Sequence, residues 1–305
     1  MKILIIGGSN FDINAALTSA PVPADSNPAL ISSSCGGVGR NVAENLARLG
    51  LDVSFMSAVG TDSFSRLIKN SLSDLEVDIT HLVQVPGSSG SYLSITDASG
   101  ELLISACDQS ILEALSPSFF ESKAEYISSF PLVFLDANLN KECLAQIANN
   151  YSGLLFADGV SVSKVKRLNP ILSRLHTLKL NLAELSALLG EEIKPEKEML
   201  RNASQHILDM GTERLVVTLG SLGSFMAAEN EFIFQRAEKL EPLNVTGAGD
   251  AFAAALIFAR ANKLGNAAAL KLGTAAASLA LLSPGAVCSS LTEDLLLNRA
   301  AEEVM

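Results

Sequence analysis

Along most of the chain, short apolar runs bounded by turn residues alternate with stretches of helical period, and no other feature constrains the fold as tightly. Residues 3–6, 53–59, 132–136, 154–158, 177–180 and 215–219 have the length and composition of strands. Helices are predicted over 42–49, where Val42, Leu46 and Leu49 share one face, and over 63–75, 141–149, 182–188 and 199–210. Two more follow, one opening at Asp250 and one over 267–282. Near-continuous apolar strands alternating with helices imply an α/β fold: a mostly parallel central sheet with helices on both faces. A chain of 305 residues, 48% hydrophobic, can bury such a core as one domain, and no repeat, low-complexity tract or linker divides it. The expectation is a single unit over 1–305.

One region breaks the rhythm. Residues 91–105 are two extended runs around Asp97-Ala98-Ser99-Gly100, which reads as a β-hairpin. Residues 10–34 lack helical period and contain Pro21, Pro23 and Pro28. Both pieces are assigned to a small β-rich lid outside the main sheet, over about 12–35 and 88–107.

Charge and composition narrow the partners. With 22 basic and 33 acidic residues the net charge is −11, which argues against nucleic acid as partner. Trp is absent and aromatics are 5%, so no base-stacking platform is evident. Backbone amides could still hold a small phosphorylated ligand. The four cysteines match no zinc or C-x-x-C spacing, as in a thiol protein of the cytoplasm. The N-terminal apolar run is too short for a signal peptide, and no uncharged run reaches membrane-spanning length.

Several turns could carry chemistry. Asn244-Val245-Thr246-Gly247-Ala248-Gly249-Asp250 feeds an apolar helix. A helix N-terminus with small residues suits an anion, phosphate above all. A carboxylate there does not bind phosphate; it either offsets the helix dipole or takes a proton from a hydroxyl attacking that phosphate. Gly36-Gly37-Val38-Gly39-Arg40-Asn41 precedes another helix and could bring a ligand to the backbone, or could be a tight loop only. It is not a dinucleotide fingerprint, because it does not close the first strand. Asp12 follows that strand and could accept from two sugar hydroxyls or lie solvated in a loop. Asn181 and Glu184 could form a capping box or hold the water shell of Mg²⁺. Thr218-Leu219-Gly220-Ser221-Leu222-Gly223 ends a strand with glycines that would admit nucleotide phosphates.

Taken in order along the chain, Gly36 to Asn41, Asn181 to Glu184, Thr218 to Gly223 and Thr246 to Asp250 resemble the signatures of the ribokinase-like, or PfkB, family of carbohydrate and nucleoside kinases, and the resemblance spans almost the whole chain. Within it, Gly36 to Asn41 and Asn244-Val245-Thr246 look most like pseudouridine kinases. The resemblance implies an enzyme using ATP and Mg²⁺ on the 5′-hydroxyl of a ribose-containing nucleoside, pseudouridine first. Ribose, fructose or adenosine are the alternative substrates, and a non-catalytic sugar-binding relative is a rival of another class. A nicotinamide-dependent dehydrogenase is disfavoured by the missing fingerprint after the first strand. By the same resemblance Asp250 is the base, and Gly247, Ala248 and Gly249 form the anion hole. Asp12, Gly36, Gly37 and Asn41 hold the sugar. Asn181 and Glu184 organise Mg²⁺ through water, and Thr218, Gly220 and Gly223 line the ATP site. The lid closes over the sugar and can pair with a second subunit in a homodimer. Many relatives carry Asp where this chain has Asn244, which puts K⁺ dependence in doubt. Carbonyls near Asn244 and Thr246, with Ala280, Ser283, Gly285 and Ser289, could still coordinate a monovalent cation.

Overall fold

A computed structural model describes residues 1–302, so the last three residues of the expected 1–305 unit lie outside the described residues. The chain begins β1 (Lys2–Ile6), β2 (Asn10–Leu17), β3 (Ala29–Gly36), α1 (Val38–Arg48), β4 (Asp52–Val59), α2 (Ser63–Ser73), β5 (Leu82–Gln84), β6 (Ser91–Thr96) and β7 (Leu102–Asp108). It continues with α3 (Pro117–Ser122), α4 (Ala124–Ser128), β8 (Leu132–Asp136), α5 (Lys141–Asn150), β9 (Leu154–Asp158), β10 (Thr177–Asn181), α6 (Leu182–Leu189) and α7 (Lys197–Asp209). It ends with β11 (Arg214–Thr218), β12 (Ser224–Ala228), β13 (Glu231–Gln235), α8 (Ala248–Ala261), α9 (Asn266–Leu281) and α10 (Glu293–Glu302).

The main sheet has nine strands in the order β13-β12-β11-β10-β9-β8-β1-β4-β5. From β11 across to β5 every pairing is parallel, with Ile5 of β1 facing Phe55 on one side and Phe134 on the other. Burial on both faces follows the period of the strand. Ile3 and Ile5 pack with Val42, Leu46, Phe252 and Leu256 on one face. Leu4 and Ile6 pack with Leu144, Ile147, Leu168 and Ile207 on the other. The expected α/β architecture is therefore present.

The edge formed by β12 and β13 is antiparallel, and the sequence reading missed it. Its turn at Glu229-Asn230 uses Asn230 at φ 96°, a left-handed residue without the Asn-Gly pair that marks a hairpin.

The lid is a separate sheet of four strands, β3-β2-β6-β7. Strands β6 and β7 form the expected hairpin, turned by Gly100 at φ 86° and by Asp97, whose Oδ1 accepts the N–H groups of Ser99 and Glu101. Strand β2 joins the two halves, antiparallel to β3 and parallel to β6. Among the described residues no helix is long and apolar enough to cross a membrane.

Candidate active site

The carboxyl ends of β9, β10 and β11 lie at the start of α8: Lys179 of β10, paired with Asp158 of β9, approaches Gly249, and Thr218 of β11 lines one cavity with Ala248 and Gly249. Open parallel sheets place their ligands at such ends. Helix α8 begins without a side-chain cap. Its N-cap, Gly247, adopts φ 83°, and a Cβ there would run into the Ala286 carbonyl. Only glycine tolerates both demands. The intrahelical ladder starts with the Ala251 N–H donating to the Gly247 carbonyl, so the N–H groups of Ala248, Gly249 and Asp250 have no partner within the helix.

Asp250 stands in this first turn. Its carboxylate accepts from Nδ2 of Asn41 at 2.8 Å. The Oδ1 of Asn41 accepts from Arg40 at 3.1 Å, and this fixes which end of the amide faces Asp250. Burial and the neighbouring Asp158 push the Asp250 carboxyl up to about 7; Asn41 and Lys179 oppose them. A carboxylate so raised is well matched to proton transfer near neutrality.

Beneath α8 lies a buried ion pair that the sequence reading did not identify. Lys179 of β10 donates to Asp158 of β9 at 2.8 Å, and both side chains are almost fully enclosed. A Cβ on Gly249 would lie 2.8 Å from the Lys179 ammonium. Glu184 belongs to the same group of charges; burial and Asp158 raise its carboxyl to about 7, while Lys179 opposes the shift. Its oxygens accept from the Asn181 N–H at 2.9 Å and from Asn181 Nδ2 at 2.8 Å, and the Glu184 N–H donates to Asn181 Oδ1 at 2.8 Å. The capping box is thus present. Asp136, at the end of β8, is fully buried and accepts N–H groups from Gly8 and Gly39, tying the first strand to the start of α1.

Asp12 sits on β2 of the lid, opposite Ser34. It accepts a short hydrogen bond from Asn10, which in turn accepts from Gln109 at 2.9 Å. A Cβ on Gly36 would strike the Asp12 carboxylate, and one on Gly37, at φ 98°, would meet Ser9 and Gly8. Burial raises the Asp12 carboxyl to about 6 against the pull of Arg40. Gly37 also begins α1, which carries Asn41, so the glycine turn links the Asp12 region to Asp250.

Thr218, Gly220 and Gly223 line a cavity of about 400 Å³ together with Ala248, Gly249, Phe252, Thr274 and Ser278. The predicted nucleotide turn and the start of α8 therefore share one cavity, large enough for a small organic ligand. Among the described residues no three His, Cys, Asp or Glu side chains group as a metal site. That is compatible with Mg²⁺, which uses few protein oxygens and keeps its waters.

The loop expected to hold a monovalent cation is partly engaged already. Asn244 Nδ2 donates to the Pro284 carbonyl at 3.4 Å and its Oδ1 accepts the Thr246 N–H at 2.9 Å. The Ser289 carbonyl accepts from Arg48, and the Ala280 carbonyl accepts the Ser283 N–H. Gly285 lies in the same loop, beside Ala286, against which Gly247 packs.

Comparison with known proteins bears on the family and the fold. The family described as pfkB family carbohydrate kinase matches residues 1–293. The chain is 32% identical over 285 residues to the pseudouridine kinase of Escherichia coli (strain K12), covering 92% of this chain and 90% of that protein. Ribokinase from Thermotoga maritima superposes with a TM-score of 0.87 at 22% identity, covering 98% of this chain and 99% of the other. Arabidopsis thaliana ribokinase complexed with ribose and ATP gives a TM-score of 0.85 at 22% identity, covering 98% of each chain. These two structures support the fold; membership follows from the match along the sequence. The chain belongs to the pfkB family of carbohydrate kinases, and it is a phosphotransferase with an alcohol group as acceptor.

Proposed function

We propose that the enzyme phosphorylates the 5′-hydroxyl of a ribose-containing nucleoside, converting pseudouridine to pseudouridine 5′-phosphate with ATP and Mg²⁺. The observation that carries the phosphotransferase half of this reading is the uncapped first turn of α8, with Asp250 inside it and Asn41 holding its carboxylate. The substrate half rests on the relative named pseudouridine kinase.

In this reading Asp12 and Asn41, with the backbone at Gly36 and Gly37, hold the sugar. Asp250 takes the proton of the attacking hydroxyl. The amides of Gly247, Ala248 and Gly249 face the charge that develops on the transferring phosphoryl group. Thr218, Gly220 and Gly223 line the cavity for ATP, and Asn181 and Glu184 order the water shell of Mg²⁺. The metal would neutralise phosphate charge as the bond to the leaving oxygen breaks. Asn244, Thr246 and the loop carrying Ala280, Ser283, Gly285 and Ser289 are the candidate K⁺ site.

The whole of 1–305 acts as one ribokinase-like unit in this reading, in the cytoplasm. Its lid, over about 12–35 and 88–107, closes on the sugar. Leu30, Ile31 and Ile104 are 72%, 73% and 62% exposed on lid strands, and they support pairing of the lid with a second copy.

The test is release of ADP with pseudouridine, uridine, ribose, fructose or adenosine as acceptor. Pseudouridine carries a free N1–H beside its glycosidic bond that uridine lacks, and a site built to accept that donor discriminates strongly. The expected kcat/KM for pseudouridine is at least ~10²-fold above that for uridine or ribose. Equal turnover of ribose, fructose or adenosine would remove the pseudouridine assignment and leave the kinase standing.

A further inference from the structure

Lys179 is a buried cation with no role in the account so far. It lies on β10, in the middle of an apolar strand, where a charge is costly to bury unless it is paired. Its pairing with Asp158 at 2.8 Å answers the solvation problem but not the position of the ammonium. That group points to the first turn of α8 and occupies the space where a side chain on residue 249 would begin. Asp250 and Glu184 also bear on Lys179, so one ammonium serves three nearby carboxylates. A purely structural pair would need neither the glycine above it nor the approach to the uncapped turn.

We propose that Lys179, anchored by Asp158, is the cation that meets the transferring phosphoryl group at the start of α8 and offsets its charge beside the Asp250 carboxylate. This rests on the kinase reading above. During transfer the bond from the γ-phosphorus to the bridging oxygen breaks, leaving ADP. The bond to the acceptor oxygen forms, and the hydroxyl proton passes to Asp250. Negative charge on the phosphoryl oxygens would then sit between the α8 amides and the Lys179 ammonium, in a site shielded from water where a fixed charge acts strongly. The proposal also explains Gly249: any larger residue would separate the ammonium from the backbone amides.

Two variants and one binding measurement test this. Lys179→Met should lower kcat on the order of 10²-fold or more, as loss of one oxyanion donor does. The KM for the nucleoside should stay within about twofold. Calorimetry should show a second, independent effect. Wild type should bind the non-hydrolysable analogue adenylyl imidodiphosphate more tightly than ADP in Mg²⁺, and Lys179→Met should lose that preference while keeping its affinity for ADP. Because the single variant leaves Asp158 buried and unpaired, Asp158→Asn/Lys179→Met is the control for folding. If Lys179 contacts the phosphoryl group, the double variant melts like wild type and stays as slow as the single variant. A double variant with wild-type turnover, or either variant with an unchanged preference for the triphosphate analogue, would overturn the proposal. Wild type that binds neither nucleotide would instead remove the kinase reading on which it rests.

Discussion

Helices α6 and α8 both begin at the carboxyl end of the same sheet, and each carries an acid in its first turn. Their acids are used in opposite ways. Glu184 of α6 bonds back to Asn181, backbone and side chain, and completes a capping box. Asp250 of α8 makes no such bond; its N-cap is a left-handed glycine, and its carboxylate is held from another helix by Asn41. A cap satisfies a helix end and closes it to ligands, whereas a missing cap leaves amides facing outward for an anion. The difference separates an end closed by its own capping pair from one left open to an anion, although burial and the neighbouring Asp158 raise both carboxyls to about 7.

The contrast predicts unequal consequences for removing each charge. Asp250→Asn keeps the shape of the site and removes its proton acceptor, so kcat should fall at least ~10²-fold with little change in substrate Kd. Turnover close to wild type would mean that Asp250 only offsets the helix dipole, and the contrast with Glu184 would collapse.

Asp12 should give the next largest effect. Its replacement by alanine leaves sugar hydroxyls without an acceptor, and the KM for the sugar should rise on the order of tenfold or more. Binding of an ATP analogue should be unaffected. Calorimetry that finds the same sugar affinity would take Asp12 out of the site.

Glu184→Gln should show the smallest change. Losing the carboxylate half of the capping box should lower stability by about 1 kcal/mol, read by thermal melting. If Glu184 also orders the Mg²⁺ shell, the Mg²⁺ concentration for half-maximal rate should rise in the same variant. An unchanged Mg²⁺ titration would restrict Glu184 to capping.

Most of the scaffold that holds these two helices was legible in the sequence. The strand over 132–136 was readable because a central parallel strand is apolar on both faces, and all its residues are buried. The lid hairpin was readable because Asp97 and Gly100 supply the chemistry its turn requires. A capping box at Asn181 and Glu184 was one of the two readings their spacing offered, since the bonds involved span three residues.

What escaped was set by tertiary neighbours. Lys179 reads as an ordinary strand residue until β9 brings Asp158, 21 residues earlier, to its ammonium. Arg40 belongs to the Gly36 to Asn41 turn, yet its hold on the Asn41 amide depends on rotamers that spacing does not specify. Asn41 and Asp250 are 209 residues apart, and only the packing of α1 on α8 joins them. A single signal could have pointed to Lys179: a lysine inside an otherwise apolar strand needs a partner.

The most direct test of the division between the two helix ends is the pH dependence of kcat/KM, measured in wild type and in Glu184→Gln. A base must be deprotonated to work, so in wild type the value should climb about tenfold per pH unit below pH 7 and level off above it. The limb belongs to Asp250, whose carboxyl is raised to about 7, and Glu184→Gln should keep it at nearly the same pH. Disappearance of the limb in Glu184→Gln would assign the titration to the other helix and contradict the account.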